Sequence, residues 1–397
     1  MITQQIIRAQ NLRHIYNLIN LNPGISRATL AKQAQLSKTT ISSLVDELIA
    51  GKYITDCGVT KSRMQGRHPN ELCVNGEDNA VVVISWKNTG LELSLISSDS
   101  SILFRDHMPS TGERFGVEEI REAFFQVLLP KTEQLHLMGI CIIVPGIIDD
   151  VQGRILSTVL GIDFQDTVIE ALCQAFEGYP LCILNDTACF AYAESVFTTI
   201  EDDFFAYINL SRGVGACLFA DGKMLRGAGG MSTQFGHYSI DFHGPKCLCG
   251  NRGCLERMIG EYVLEERATA YGLHTQLPDG RRLLFSDVGA MAENGNPHAL
   301  ELVHQLAQEF AYGISNLISL FNPSLVVIGG TGVNLGARFL KELHSAISEI
   351  GFREFVSRVK LRYSRLGADA ELAGAAQYYI DHHYDFSGEM TDGPFLR

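Results

Sequence analysis

No stretch of the 397 residues stays apolar for the about 20 residues that a membrane-spanning helix needs. The longest apolar runs, such as 137–144 and 325–328, have the length of core strands, so no membrane insertion is expected. Residues 1–10 interleave polar and apolar side chains and lack the apolar core of a secretory leader, so export is not expected either. A disulfide framework is also missing from the pattern. Of ten cysteines, seven stand singly in apolar segments and three cluster, which points to a reducing cytoplasm. Positive charge is scarce overall, with a net charge of -13, and what there is gathers at the front. Residues 1–75 hold nine Lys and Arg against four acids, a local +5 that leaves -18 on the remainder. Only the first part suits a polyanion, while the length predicts two or three domains with a sizeable core.

What is present in the first 75 residues is a helical trio. Leu12, Ile15, Tyr16 and Ile19 recur at helical spacing and mark one apolar face, and Asn22-Pro23-Gly24 ends that helix. Ser26 is placed to cap a short second helix packed through Leu30, Ala31 and Ala34, and Ser37 to cap a third. The third helix turns Ile41, Leu44, Val45, Leu48 and Ile49 inward. Ser37, Lys38, Thr39, Thr40, Ser42 and Ser43 are left on its N-terminal half, where a recognition helix meets base edges and phosphates. Extended runs at 53–56 and 71–74 flank a Gly-containing segment with Lys61, Arg63 and Arg67. That is the pattern of a basic wing, so the head reads as a winged helix-turn-helix whose partner is DNA, with Arg63 and Arg67 gripping phosphate or a minor groove.

From residue 80 the pattern is α/β. Strands are predicted at 81–84, 91–96 and 102–104, then a helix over 117–135 and a buried strand at 137–144. The order recurs at 205–210, 215–220 and 223–225, with Asp221-Gly222 as a hairpin turn. This duplication predicts two lobes around a cleft.

The sharpest chemical pattern is His237 followed by Cys247, Cys249 and Cys254 in a Gly-rich polar loop. One imidazole and three thiolates satisfy tetrahedral Zn(II) and leave no open position, so a structural zinc is expected; three core cysteines without metal are the alternative.

Gly227-Ala228-Gly229-Gly230 through Gly236-His237, then Cys247-Leu248-Cys249-Gly250-Asn251-Arg252-Gly253-Cys254-Leu255-Glu256, resembles the signature of the ROK family of repressors and sugar kinases. Asn185-Asp186, Asn322-Pro323, Gly329-Gly330, and the stretch from Leu366 to Ala376 extend the resemblance over nearly the whole chain. It implies a two-lobed, actin-like (ribonuclease-H-like) body behind the head, homodimers or tetramers, and control of carbohydrate genes, as in the repressor branch. The expected domains are the winged head at 1–76, an N-terminal lobe at 77–190 and a C-terminal lobe with the zinc loop at 191–384. The last helix would return to the N-terminal lobe, and 385–397 would form a loose tail.

In the family's kinases the first hairpin turn opens with an Asp and a Gly-Gly-Thr, where backbone N–H groups approach phosphate. Here it reads Ser85-Trp86-Lys87-Asn88-Thr89, and the second phosphate loop reads Leu210-Ser211-Arg212-Gly213-Val214-Gly215. Gly329, Gly330 and Gly332 persist. No enzyme activity is expected. Asp186 matches the kinase-base position and is vestigial, while Asn185, Asp186, His237 and Glu256 match hydroxyl-binding positions. Gln234 stands where the family has Glu and Leu160 where it has Asn; Asn185-Asp186 read without the family is a helix cap. The implied effector is a sugar or sugar phosphate, with a sugar-transport protein as a variant. The rival functions are a bifunctional ATP-dependent sugar kinase that also binds DNA and a zinc-stabilised scaffold without a DNA role.

Overall fold

The computed structural model describes residues 4–58, 71–110, 115–230, 233–273, 275, 277, 280–387 and 395–396. The chain divides into two compact units, Met1–Cys189 with Glu371–Arg397, and Phe190–Ala370. Among the described residues no helix is long and apolar enough to cross a membrane.

The head forms as its apolar spacing dictates. Helices Gln4–Leu21, Arg27–Gln33 and Lys38–Ala50 bury Leu12, Ile15, Tyr16, Ile19, Leu30, Ile41, Leu44, Val45 and Leu48 against one another. Ser26 Oγ accepts from Thr29 N at 3.2 Å and Ser37 Oγ from Thr40 N at 3.1 Å, so both expected caps satisfy a free helix N–H. The wing strands Ile54–Gly58 and Glu71–Val74 pair antiparallel, and a two-residue strand, Ile25–Ser26, pairs with the second. That short strand had no sequence signal, because two residues show no period.

The expectation of no disulfide fails at one point. Cys57 is bonded to Cys73, with Cα atoms 5.8 Å apart. The register shifts between Asp56 and Gly58, so Cys57 is the extra residue of a β-bulge, on the same strand face as Thr55 and diagonal to Thr55's partner Cys73. The pairing depends on register and bulge, which two isolated cysteines in a sequence do not reveal.

Behind the head, strands Asn79–Lys87, Gly90–Ser97 and Ile102–Pro109 form an antiparallel meander. His136–Val144 lies parallel to the first of these, Leu181–Asn185 lies parallel to it in turn, and Phe395–Leu396 closes the six-stranded sheet. Asn79–Lys87 is central and buried at every residue but the last, which explains its almost unbroken apolar run. The helix expected over 117–135 is regular only over Val117–Ala123. It then widens into a π turn, Phe124–Leu128, and a 3-10 turn, Leu129–Thr132. Pro130 is the cause: it brings no N–H and its ring clashes with the preceding turn.

The second unit repeats the scheme. Phe204–Leu210, Val214–Ala220 and Lys223–Met224 form the meander, and Leu325–Gly329 and Lys360–Tyr363 continue the sheet in parallel. Asp221 and Gly222 have φ of 51° and 71°, as a two-residue hairpin of the I′ type requires. The long helix Pro297–Phe321 and the helix Gly336–Glu349 bury Phe310 and Phe339 against Val326 and Ile328 of this sheet.

The segment from Asp385, expected to be loose, begins as core. Phe386 is 4 % exposed, with its ring centroid 4.5 Å from Tyr16 and 5.0 Å from Tyr53. Tyr384 OH lies 2.8 Å from Tyr53 OH and 2.7 Å from His136 Nε2. Arg13 donates to Tyr384 O at 3.1 and 2.9 Å. The residues just past the last helix therefore tie the head to the first lobe.

Candidate functional site

On the third helix of the head, Ser37, Lys38, Thr39 and Ser43 are exposed, and Thr40 and Ser42 are half-buried. Ser37 Oγ lies 2.7 Å from Thr39 Oγ1 and 2.8 Å from Thr40 Oγ1, which pre-arranges a row of hydroxyls at the helix start. The helix's two acids sit in its second half and are each engaged, Asp46 by Arg27 at 2.7 Å and Glu47 by Arg8. Its first half thus presents one cation, hydroxyls and the positive end of the helix dipole, all suited to a phosphate backbone. Arg63 and Arg67 lie outside the described residues.

In the first unit, strand Leu181–Asn185 delivers Asn185 and Asp186 to the end of the parallel sheet. Asn185 Oδ1 accepts from Ala188 N at 3.0 Å, so the helix Asp186–Phe197 is indeed capped there. Asn185 Nδ2 donates to Gly146 O at 2.7 Å and to Asp186 Oδ1 at 3.1 Å. Asp186 Oδ1 also accepts from Thr187 N at 2.7 Å. Burial, and then the neighbouring Glu371, push the Asp186 carboxyl up to about 7.

Glu371, near the start of the last helix, Ala370–His382, is buried. It accepts from Ser85 Oγ at 3.0 Å and pairs with Lys87 Nζ at 2.9 Å. Lys87 also reaches Glu92 at 2.9 Å, and Glu92 is held in turn by Arg105. Burial pulls the Lys87 ammonium down, yet Glu371 and Glu92 outweigh it and hold the group above its ordinary value. Lys87 and Gly90 face each other across a two-residue turn, with Trp86 buried behind them. Leu160 is also buried.

In the second unit, Gln234 precedes a 3-10 turn, Phe235–His237. Glu256 opens the short helix Leu255–Ile259 as its second residue, and Glu256 Oε2 accepts from Val214 N at 3.3 Å. His237, Cys247, Cys249 and Cys254 bring their donor atoms within 4.8 Å of one another. Cys247 Sγ is 3.6 Å from His237 Nδ1 and Cys249 Sγ is 3.6 Å from Cys254 Sγ. A tetrahedron with metal–sulfur bonds of about 2.3 Å and metal–nitrogen bonds of about 2.0 Å has edges of roughly 3.5 to 3.8 Å, so the donor set fits one ion. The loop closes this tightly because Gly253, at φ 58°, passes where any Cβ would strike Asp241 O at 1.7 Å. Asn185 and Asp186 belong to the first unit, and Gln234, His237 and Glu256 to the second.

A sequence model of the ROK family matches residues 83–382. This chain belongs to the ROK family. A second model, for winged helix-turn-helix DNA-binding domains, matches residues 8–55. The xylose repressor of Bacillus subtilis is 27% identical over 390 residues, covering 96% of this chain and 98% of that protein. The N-acetylglucosamine repressor of Escherichia coli O157:H7 is 23% identical over 372 residues, covering 91% and 90%. Among solved structures, a ROK family transcriptional regulator described as a homolog of the E. coli MLC protein superposes with TM-score 0.80 at 25% identity, over 94% of this chain and 96% of that one. A ROK glucokinase from Streptomyces griseus, in complex with glucose and AMPPNP, superposes with TM-score 0.62 at 24% identity, over 76% and 99%. The glucokinase likeness shows the shared actin-like body.

Against this ROK frame, sequence reasoning missed Glu371, the partnership of Lys87 with Glu92, and the Tyr384–Phe386 anchor. Glu371 lies within the stretch from Leu366 to Ala376 that carries the family resemblance, and that is the signal for it. Lys87 and Glu92 are five residues apart but meet only through the register of the hairpin, while the contacts of Tyr384 and Phe386 join residues far apart in sequence.

Proposed function

We propose that this chain is a cytoplasmic transcriptional repressor of carbohydrate genes whose ROK body senses a sugar or sugar phosphate and performs no phosphoryl transfer. Two copies present their Lys38–Ala50 helices to half-sites of a palindromic operator, with Ser37, Lys38, Thr39, Thr40, Ser42 and Ser43 toward the DNA and Arg63 and Arg67 on the backbone. Asn185, Asp186, Gln234, His237 and Glu256 hold the effector's hydroxyls, and Asp186 in the kinase-base position serves as a ligand only. A structural Zn(II) is held by His237, Cys247, Cys249 and Cys254. The domain limits are those set out above, with residues 384–386 joined to the core.

The observation that carries this reading is the first hairpin turn. Where a kinase needs open backbone to cradle phosphate, the turn is a closed two-residue loop. Lys87 occupies its mouth, bound to Glu371 and Glu92. A route from effector to head is supported by one helix. Ala370–His382 has Glu371 at the Asp186 end and is followed at its other end by Tyr384, bonded to Tyr53 of the head. A coupling of about 1 to 3 kcal/mol along it changes operator affinity about 5- to 150-fold.

The test has three arms. A thermal-shift panel of sugars and sugar phosphates should raise the melting point of the native protein for its effector class. DNA binding to duplex fragments should fall steeply with salt. A coupled ATP assay with hexoses should show no turnover. Turnover abolished by Asp186→Ala would replace the sensor with a sugar kinase that also binds DNA.

A further inference from the structure

We propose that Cys57 and Cys73 form a reversible thiol–disulfide modification site in the wing that sets the DNA affinity of the head. The inference rests on the DNA-binding reading above. Three observations carry it. The two residues are in bonding position across the wing ladder, with Cα atoms 5.8 Å apart, inside the usual range for a disulfide. Cys57 is exposed and Cys73 half-buried, so small thiols and disulfides reach the pair. The position is made by the bulge between Asp56 and Gly58, which carries Cys57 as its additional residue.

The remaining described cysteines set this pair apart. Cys141, Cys182, Cys189 and Cys217 are buried, Cys173 is half-buried, and Cys247, Cys249 and Cys254 converge on the candidate metal position. None of these groups combines solvent access with a bonding partner on a DNA-facing element. The pair also brackets, in sequence, Lys61, Arg63 and Arg67. Bonding it closes a ring over a separation of 16 residues and removes chain entropy that DNA binding must otherwise overcome.

The co-reactant is a low-molecular-weight disulfide of the glutathione class. The Cys57 thiolate attacks one of its sulfurs, forming a mixed disulfide and releasing one small thiol. The Cys73 thiolate then displaces the second small thiol from Cys57. Two protein thiols are oxidised and one small disulfide is reduced to two thiols, with the protons passing to the released thiolates. The bonded state is the high-affinity state, and reduction relaxes the grip on DNA.

The experiment equilibrates the full-length protein in reduced and oxidised glutathione buffers and assigns the bond by alkylation and peptide mass mapping. It then measures binding to a fluorescent mixed-sequence duplex at low ionic strength. The bonded form should bind on the order of tenfold more tightly than the reduced form. Cys57→Ser, Cys73→Ser and the double variant should each bind equally in both buffers, at the affinity of the reduced protein. Equal affinity of the two wild-type states overturns this proposal alone, as does a redox response that survives in the variants or a pair that stays reduced in oxidised glutathione. Absence of DNA binding in both states overturns the DNA reading and this proposal with it.

Discussion

The two units are built on the same strand scheme, a three-stranded meander continued by parallel strands, yet they treat its first turn in opposite ways. In the first unit the turn after Asn79–Lys87 is closed over Lys87, and two carboxylates neutralise the ammonium there. In the second the turn after Phe204–Leu210 keeps Gly213, where a Cβ would strike Glu256 Oε2 at 2.5 Å. At Gly330, with φ 75°, a Cβ would lie 2.2 Å from Asn209 Oδ1. The lesson is that glycines at such turns need not signal phosphate: here they admit polar side chains of the same unit. The first unit's turn differs in that a charged side chain, Lys87, stands there between two carboxylates.

The units also differ in what braces them, which gives five ways to break the comparison. The largest effect belongs to the candidate metal loop of the second unit. Chelation, or Cys254→Ser, should cost several kcal/mol and lower a melting transition assigned to residues 190–370 by hydrogen exchange. Unchanged melting after exhaustive chelation would remove the metal from the account.

Next in size is Asp186. Its carboxyl is raised from 3.8 to about 7, so the native state favours the proton. That contribution is fully present below the ordinary Asp value and is lost as pH rises toward 7, at most roughly 4 kcal/mol. Asp186→Asn should therefore stabilise the protein at pH 8 relative to wild type and flatten urea-midpoint curves between pH 4 and 7. A wild-type curve already flat in that window contradicts the burial argument.

Third, Phe386→Ala empties a site walled by Tyr16, Tyr53 and Tyr384 and should cost about 3 kcal/mol in denaturant unfolding. It should also weaken any effect of effector on DNA binding; a variant with wild-type coupling would discard the helix Ala370–His382 as the route. Fourth, Lys87→Met strips Glu371 and Glu92 of their shared cation and should destabilise by about 2 kcal/mol, less than a fully buried pair because Lys87 is partly exposed. A more stable variant would mean the ammonium is not needed to hold the closed turn. The smallest effect is that of Lys38→Ala, expected to weaken DNA binding by about 1 kcal/mol and to lower the salt slope by about one charge. An unaltered slope would place Lys38 away from phosphate.

Much of this was legible in advance where the signal is local. Leu12, Ile15, Tyr16 and Ile19 announce a buried face, Ser26 and Ser37 announce caps, and Asp221-Gly222 announces a hairpin, because each depends on neighbours within one turn or one period. The cluster of His237 with three cysteines is legible for the same reason, since its donors lie within eighteen residues. The helix expected over 117–135 is regular only as far as Ala123, because Pro130 brings no N–H to the turn before it and the backbone widens there.

By itself the sequence determined the order of elements, the basic head, the candidate metal loop and the side chains that stand at the first hairpin turn. Tertiary structure alone decided that Cys57 meets Cys73 across a bulge, that Glu371 closes on Lys87, and that Phe386 belongs to the junction of head and lobe. Periodicity and capping are properties of neighbouring residues and can be read from a string. Register, long-range ion pairing and the docking of a terminal segment depend on which distant surfaces are brought together, and that is settled only when the whole chain has buried its apolar faces.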